Sequence, residues 1–175
     1  MKKVLINKQS NPDVCIRAVE ESDAEHIAEI YNYYILHSTA TFEEQPVTPE
    51  VIRQRIVNVT QDYPWLICLW KGQILGYAYA ARWKERSAYK NTTEVTAYFH
   101  HEATGKGLGA PLYSALFEQI KANFHVAIAV ISLPNDASVK FHEKFGFSKA
   151  AHFKEVGMKF DRWIDVGFWQ KMLNG

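Results

Sequence analysis

The chain has 175 residues, of which 47% are hydrophobic and 22% charged. These proportions are those of ordinary globular domains; they argue against collagen, coiled coil and general disorder, and the length suits one domain that folds without disulfide or metal staples. With 20 basic and 19 acidic side chains the formal charge is +1, so there is no net basic field to grip nucleic acid or anionic lipid.

Residues 1–13 are polar and aperiodic and predict a frayed leader. Their apolar run, Val4-Leu5-Ile6, is too short for the core of a signal peptide, so a cytoplasmic protein is expected. Val14–Val19 predicts a first strand. Ser22-Asp23-Ala24-Glu25 has the pattern of a capping box, with Ser22 as N-cap. Ile27, Ile30, Tyr31, Tyr34 and Ile35 then recur at helical spacing. Thr48-Pro49 opens a second helix, with proline at its first position, where a missing N–H costs nothing. Trp65–Trp70 and Ile74–Trp83 predict a hairpin around Lys71-Gly72-Gln73, and Thr92–His100 a further strand. Cys15 and Cys68 fall in these strands and are expected to be small buried hydrophobes in a reducing compartment, forming neither a disulfide framework nor a zinc site.

Gly105, Gly107 and Gly109 follow that fourth strand and lead into a helix whose Leu112, Ala115, Leu116 and Ile120 share a face. Val126–Ser132 is a continuous apolar run, as expected of a strand covered on both faces, and is too short to span a bilayer. Pro134-Asn135-Asp136 ends it and caps a short helix to Phe145, closed by Gly146 as a C′ glycine. Residues 147–173 read as two strands joined near Phe160-Asp161-Arg162. The order is β, α, α, β, β, β, α, β, α, β, β, a mixed α/β chain with an antiparallel front half and a βαβ-like back half.

Two readings of the glycine segment stand side by side: a tight structural turn, or an anion site. Glycine lets a backbone approach a ligand closely, and the free N–H groups at a helix start favour phosphate. A nucleotide P-loop would need Ser or Thr after Gly105-Lys106, where Gly107 stands. A dinucleotide site would need the loop after the first strand. A pyrophosphate-bearing acyl carrier, coenzyme A, is the candidate that remains.

With its flanking strand and helix, Thr104-Gly105-Lys106-Gly107-Leu108-Gly109 resembles the acyl-CoA-binding motif of the GNAT superfamily of N-acetyltransferases, Gln/Arg-x-x-Gly-x-Gly/Ala, with threonine at the first position. Asn135, Ser138, Phe141, His142, Phe145, Gly146 and Phe147 follow a second pattern of that superfamily, with histidine where tyrosine is usual. Gly76-Tyr77-Ala78-Tyr79-Ala80, Tyr89, Thr92-Thr93-Glu94, Leu133-Pro134-Asn135-Asp136 and residues 163–170 narrow the resemblance to the phosphinothricin N-acetyltransferases, over about residues 14–172.

That resemblance implies a GNAT fold: a mostly antiparallel twisted sheet of about seven strands with about four helices, splayed between strands 4 and 5. It implies direct transfer of an acetyl group from acetyl-CoA, without a metal, to a small amino acid analogue such as phosphinothricin, methionine sulfoximine or methionine sulfone. It also implies a homodimer. The alternatives are acetylation of protein N-termini or polyamines, and a non-catalytic acyl-CoA sensor. Glu94 is the expected base, its other reading being an exposed glutamate on an edge strand. His142 is the expected acid toward the thiolate, its other reading a packing histidine. The backbones of Ala97, Tyr98 and Phe99 are expected to pair with the pantetheine arm, and those of Gly105, Lys106, Gly107, Leu108, Gly109 and Ala110 to hold the pyrophosphate. Asn135 is expected near the thiol end, or as a plain N-cap. Lys84, Glu85, Arg86, Tyr89, Glu94, Val95 and Thr96 are expected to meet the acceptor, whose carboxylate would pair with arginine; the other reading of residues 82–89 is solvated surface.

Overall fold

The structure, a computed structural model, describes residues 12–103 and 106–173. Most of the leader, together with Thr104 and Gly105 of the glycine segment, lies outside the described residues. Strands β1 (Val14–Ala18), β2 (Trp65–Trp70), β3 (Gln73–Arg82), β4 (Thr92–Phe99), β5 (Val126–Leu133), β6 (Ser148–Lys159) and β7 (Arg162–Met172) form one sheet in the order β1-β2-β3-β4-β5-β7-β6. Helices α1 (Ala24–His37), α2 (Pro49–Val59), α3 (Gly109–Ile120) and α4 (Asp136–Lys144) complete the chain. The β1–β2, β2–β3, β5–β7 and β6–β7 pairs are antiparallel, and β4–β5 is parallel. The parallel ladder joins Thr92–Glu94 to Val126–Ile128. Among the described residues no helix is long and apolar enough to cross a membrane.

The chain divides into two compact units, one taking residues up to 32, 47–81 and 96–122, the other 33–46, 82–95 and 123 onward. In the first, Ile16, Ile27, Ile52, Leu66, Leu112 and Leu116 are almost wholly buried. Burial of each such side chain is worth about 1.5–3 kcal/mol, which fixes the helical stripes and strand faces read from the sequence. Cys68 is fully buried, and its thiol is pushed up to about 11 by desolvation, so it stays an inert packing group. Both cysteines are free thiols.

The entry to α1 differs from the expected box at Ser22. A 3-10 turn at Glu21–Asp23 comes first, and Asp23 folds back to accept from the Glu20 N–H at 2.7 Å. Asp23 also takes both guanidinium nitrogens of Arg17 at 2.7 Å each, and this charge-assisted fork draws the cap two residues earlier, to Glu20. Asp23 is only 4% exposed, and its carboxylate raises the Arg17 pKa. Asp23→Ala removes both carboxylate partners of a half-buried guanidinium and is expected to lower unfolding free energy by about 2 kcal/mol in a urea titration. A loss under about 1 kcal/mol would show an ordinary surface pair.

In the second unit, β5, β7 and β6 pack with α4. Trp169 of β7 is 2% exposed and donates from Nε1 to Glu143 of α4 at 3.2 Å. Gly146 has φ +84° and ends α4, as its C′ position predicts. β5 departs from full coverage: Ala127, Ile128, Ala129 and Ile131 are buried, but Val130 is exposed. In β6 the register slips between Phe153 and Gly157, so a bulge stands opposite Asp165.

Candidate active site

Alternation along β4 separates two faces. Thr93 and Val95 are buried, at 0% and 3% exposure, so Glu94 is on the opposite face of the strand. Burial pushes the Glu94 carboxyl above its ordinary value, and the nearby Lys84 charge partly pulls it back. The structure therefore sets the Lys84 charge near Glu94. The Val95 side chain belongs to the core, so only its main-chain groups could meet an acceptor. The exposed Glu85 carboxylate pairs with Arg82 at 3.1 Å. Arg86 precedes a 3-10 turn at Ser87–Tyr89, and Tyr89 is exposed. Lys84 stacks its ammonium over Trp83 at 4.7 Å.

Asn135 caps α4, its Oδ1 accepting from the Ser138 N–H at 3.1 Å. It also lines an open pocket of about 410 Å³ with Tyr34, His37, Ser38, Thr39, Ala40, Pro134, Phe160 and Arg162. Neither Glu94 nor residues 82–89 line this pocket. Sequence reasoning missed Tyr34, His37 and Arg162, because they come from a helix end and a hairpin turn far apart in the chain.

His142, the expected proton donor, sits in a packed setting. Its ring is 8% exposed, and Nδ1 is 2.8 Å from the Ser138 carbonyl oxygen. A carbonyl only accepts, so Nδ1 carries the proton of the neutral ring and Nε2 does not. Desolvation lowers the pKa, with the Ser138 hydrogen bond opposing. The ring sits edge-on to Phe141 and Phe147, with centroids 5.5 and 5.3 Å away, which is the packing alternative.

In the first unit, the end of β4 carries Ala97, Tyr98 and Phe99. Tyr98 meets Tyr31 and Tyr77 at 5.2 and 5.7 Å. Phe99 covers Gly76 so closely that an added Cβ would come within 2.3 Å of the ring, which is why glycine stands there. Gly107 has φ +76°, with nothing within 4 Å of an added Cβ. Leu108 is the N-cap of α3, and no side chain caps this helix start, unlike Thr48 at α2 and Asn135 at α4. Pro111 lacks an N–H, so the N–H groups of Gly109 and Ala110 are the free donors of the first turn. An uncapped helix start behind a left-handed glycine fits a bound anion. Among the described residues no cluster of His, Cys, Asp or Glu could hold a metal ion.

Comparison with known proteins accords with this arrangement. Residues 16–167 match the model of the acetyltransferase (GNAT) domain. A phosphinothricin N-acetyltransferase of Streptomyces viridochromogenes is 39% identical over 89% of this chain and 86% of its own length. An L-methionine sulfoximine/L-methionine sulfone acetyltransferase of Salmonella typhimurium is 34% identical over 91% of this chain and 94% of its own. The crystal structure of a GNAT superfamily phosphinothricin acetyltransferase from Sinorhizobium meliloti in complex with AcCoA superposes with a TM-score of 0.89 and 34% identity, covering 93% of this chain and 89% of that one. The strand order with its parallel β4–β5 pair, the uncapped glycine-led α3 and these matches together show that the chain belongs to the GNAT superfamily of N-acetyltransferases, within its phosphinothricin N-acetyltransferase family.

Proposed function

We propose that this chain transfers the acetyl group of acetyl-CoA to the amino group of a small amino acid analogue of the phosphinothricin, methionine sulfoximine or methionine sulfone kind. The observation that carries this reading is Glu94: a desolvated carboxylate, beside the Lys84 charge, on the strand that leads to an uncapped helix start. The pKa of such a carboxyl rises toward neutrality and makes it a better base. Glu94 takes a proton from the acceptor ammonium, and the freed nitrogen lone pair attacks the thioester carbon. As the C–S bond breaks, the adduct nitrogen gives its remaining extra proton to water, leaving a neutral amide and a thiolate. With His142 neutral and its proton committed to Ser138, water supplies the proton to the thiolate.

In this reading the main chain at Gly107–Ala110, with the Lys106 cation, holds the diphosphate, and Ala97–Phe99 present strand hydrogen bonds to the pantetheine. Thr104 and Gly105 belong to the same segment but lie outside the described residues. Lys84, Arg86, Tyr89 and Thr96 are the acceptor side of the assignment. The pocket at Asn135 takes the far end of the acceptor, with Arg162 and His37 suited to an anionic group.

Lys84→Met provides a test through pH. A base works only when ionised, so kcat/KM falls as pH drops through the Glu94 pKa. The Lys84 charge lowers that pKa, and its removal should move the acid limb to higher pH. An unmoved limb would separate Lys84 from the base.

We further place the enzyme in the cytoplasm as a homodimer. Two free thiols suit a reducing compartment. β6 is an edge strand with Phe153, Val156 and Met158 exposed, and Trp163 of β7 is 63% exposed, an apolar face that a second copy would cover. Sedimentation equilibrium should give a dimer, and a monomer at micromolar concentration would remove this part.

The reading as a whole is tested by thiol release from acetyl-CoA across a panel of amino acid analogues, polyamines and peptides. Release with the analogues supports it. Release confined to peptides or polyamines, or binding without release, supports a rival.

A further inference from the structure

Lys159 is a charged residue at the end of β6, yet it is 2% exposed. Its ammonium donates to two main-chain carbonyl oxygens, Thr41 at 2.7 Å and Ser38 at 2.9 Å. Burial lowers its pKa, and Glu43 and Glu44 oppose the shift. A buried ammonium is tolerated only where fixed acceptors replace its water, so these two bonds set the path of residues 38–41.

A second contact acts on the same segment. Phe42 lies against Gly157 so closely that an added Cβ would come within 2.2 Å of the ring. Gly157 ends the β6 bulge, and the bulge is held from β7: the Glu155 N–H donates to Asp165 at 2.9 Å, with Glu155 at φ +52°. The Asp165 carboxyl is held below its ordinary value, first by that backbone donor and then by His152 at 2.6 Å. Asp165 thus fastens the bulge, the bulge seats Phe42, and Lys159 two residues later ties down Ser38 and Thr41.

What the clamp holds is a wall of the pocket. Ser38, Thr39 and Ala40 line it, and the turn just after Lys159 contributes Phe160 and Arg162. One short hairpin end therefore supplies part of the wall and fixes the wall opposite in sequence. We propose that Lys159 is a positioning residue that sets the shape of the acceptor pocket, with the Phe42–Gly157 seat as its second anchor, and that it governs which amino acid analogue the enzyme accepts. This rests on the proposed function above, in which that pocket takes the acceptor.

Lys159→Met keeps the unbranched stem and removes both donors. Loss of the clamp is expected to raise the acceptor KM about tenfold to a hundredfold, the scale of a misplacement near 1 Å. The acetyl-CoA KM and kcat at saturation should stay within about twofold, because neither the base nor the glycine segment is touched. The ratio of kcat/KM for methionine sulfone against phosphinothricin should also change. Gly157→Ala, which displaces Phe42, should give the same split, and it decides the matter if Lys159→Met fails to fold. Equal changes in all three parameters, or none, would overturn the proposal. Hydrogen exchange of residues 38–42 is read in parallel and needs no turnover. Faster exchange in Lys159→Met supports the clamp, and unchanged exchange overturns it. A parent protein that releases no thiol with any acceptor would instead refute the proposed function, with exchange still deciding the clamp.

Discussion

Glu94→Gln is expected to keep acetyl-CoA binding and lose on the order of 10²–10⁴-fold in kcat, the usual contribution of a positioned base. The amide has nearly the size of the carboxyl, so packing beside Thr93 and Val95 is undisturbed. The sign of the stability change separates this outcome from simple unfolding. Burial holds the Glu94 pKa above its unfolded value, so the folded state holds the proton more tightly. Its contribution is therefore most favourable below the unfolded pKa and declines as pH rises from there through the folded pKa. At neutral pH the charge at position 94 costs stability, and glutamine relieves that cost. Thermal melts at pH 7 should show a variant at least as stable as the parent, while initial rates show it nearly inactive. A variant that turns over normally would remove Glu94 from the mechanism, and one that is inactive because it melts early would leave the carboxylate a structural role only.

Gly107→Val is expected to raise the acetyl-CoA KM about tenfold or more, while kcat at saturation stays within about twofold of the parent. Nothing within 4 Å would clash with an added Cβ, so the whole effect comes from the backbone. At φ +76° a β-branched residue is a true outlier, and the chain would relax by rotating the N–H groups that lead into α3. Gly107→Asn is the control, since asparagine tolerates the left-handed region and should cost much less. Initial rates at varied acetyl-CoA decide the matter. Equal KM values for all three proteins would show that the segment is only a turn.

The fold was legible where burial and local geometry agree. The stripe from Ile27 to Ile35, the Thr48-Pro49 start, the left-handed Gly146 stop and the hairpin at Lys71-Gly72 all lie where the pattern put them, because each depends on neighbours in the chain. Where a distant partner wins, the pattern misled. Arg17 drew Asp23 into the cap in place of Ser22, and Asp165 drew the Glu155 N–H out of register to make a bulge. The site shows the same division. Glu94, Lys84 and the glycine segment each carried a local signal: a Thr-x-Glu block, a cationic loop and a glycine spacing. The role of His142 could not be read, because a histidine one helical turn after serine looks alike whether its ring is solvated or donating to the Ser138 carbonyl. Lys159 carried no signal: a lysine between Met158 and Phe160 reads as the outward residue of an edge strand, and its acceptors lie 118 and 121 positions away.

The most direct test follows the acetyl carbon itself. The parent protein is incubated with acetyl-CoA labelled with carbon-13 in the acetyl group, together with methionine sulfone, and product and intact protein are examined by NMR and mass spectrometry. The account predicts that the label leaves as an amide on the amino nitrogen of methionine sulfone, with one free thiol per amide and no gain in protein mass. Label retained on the protein as a covalent acetyl intermediate, or thiol released without an N-acetyl product, would contradict it.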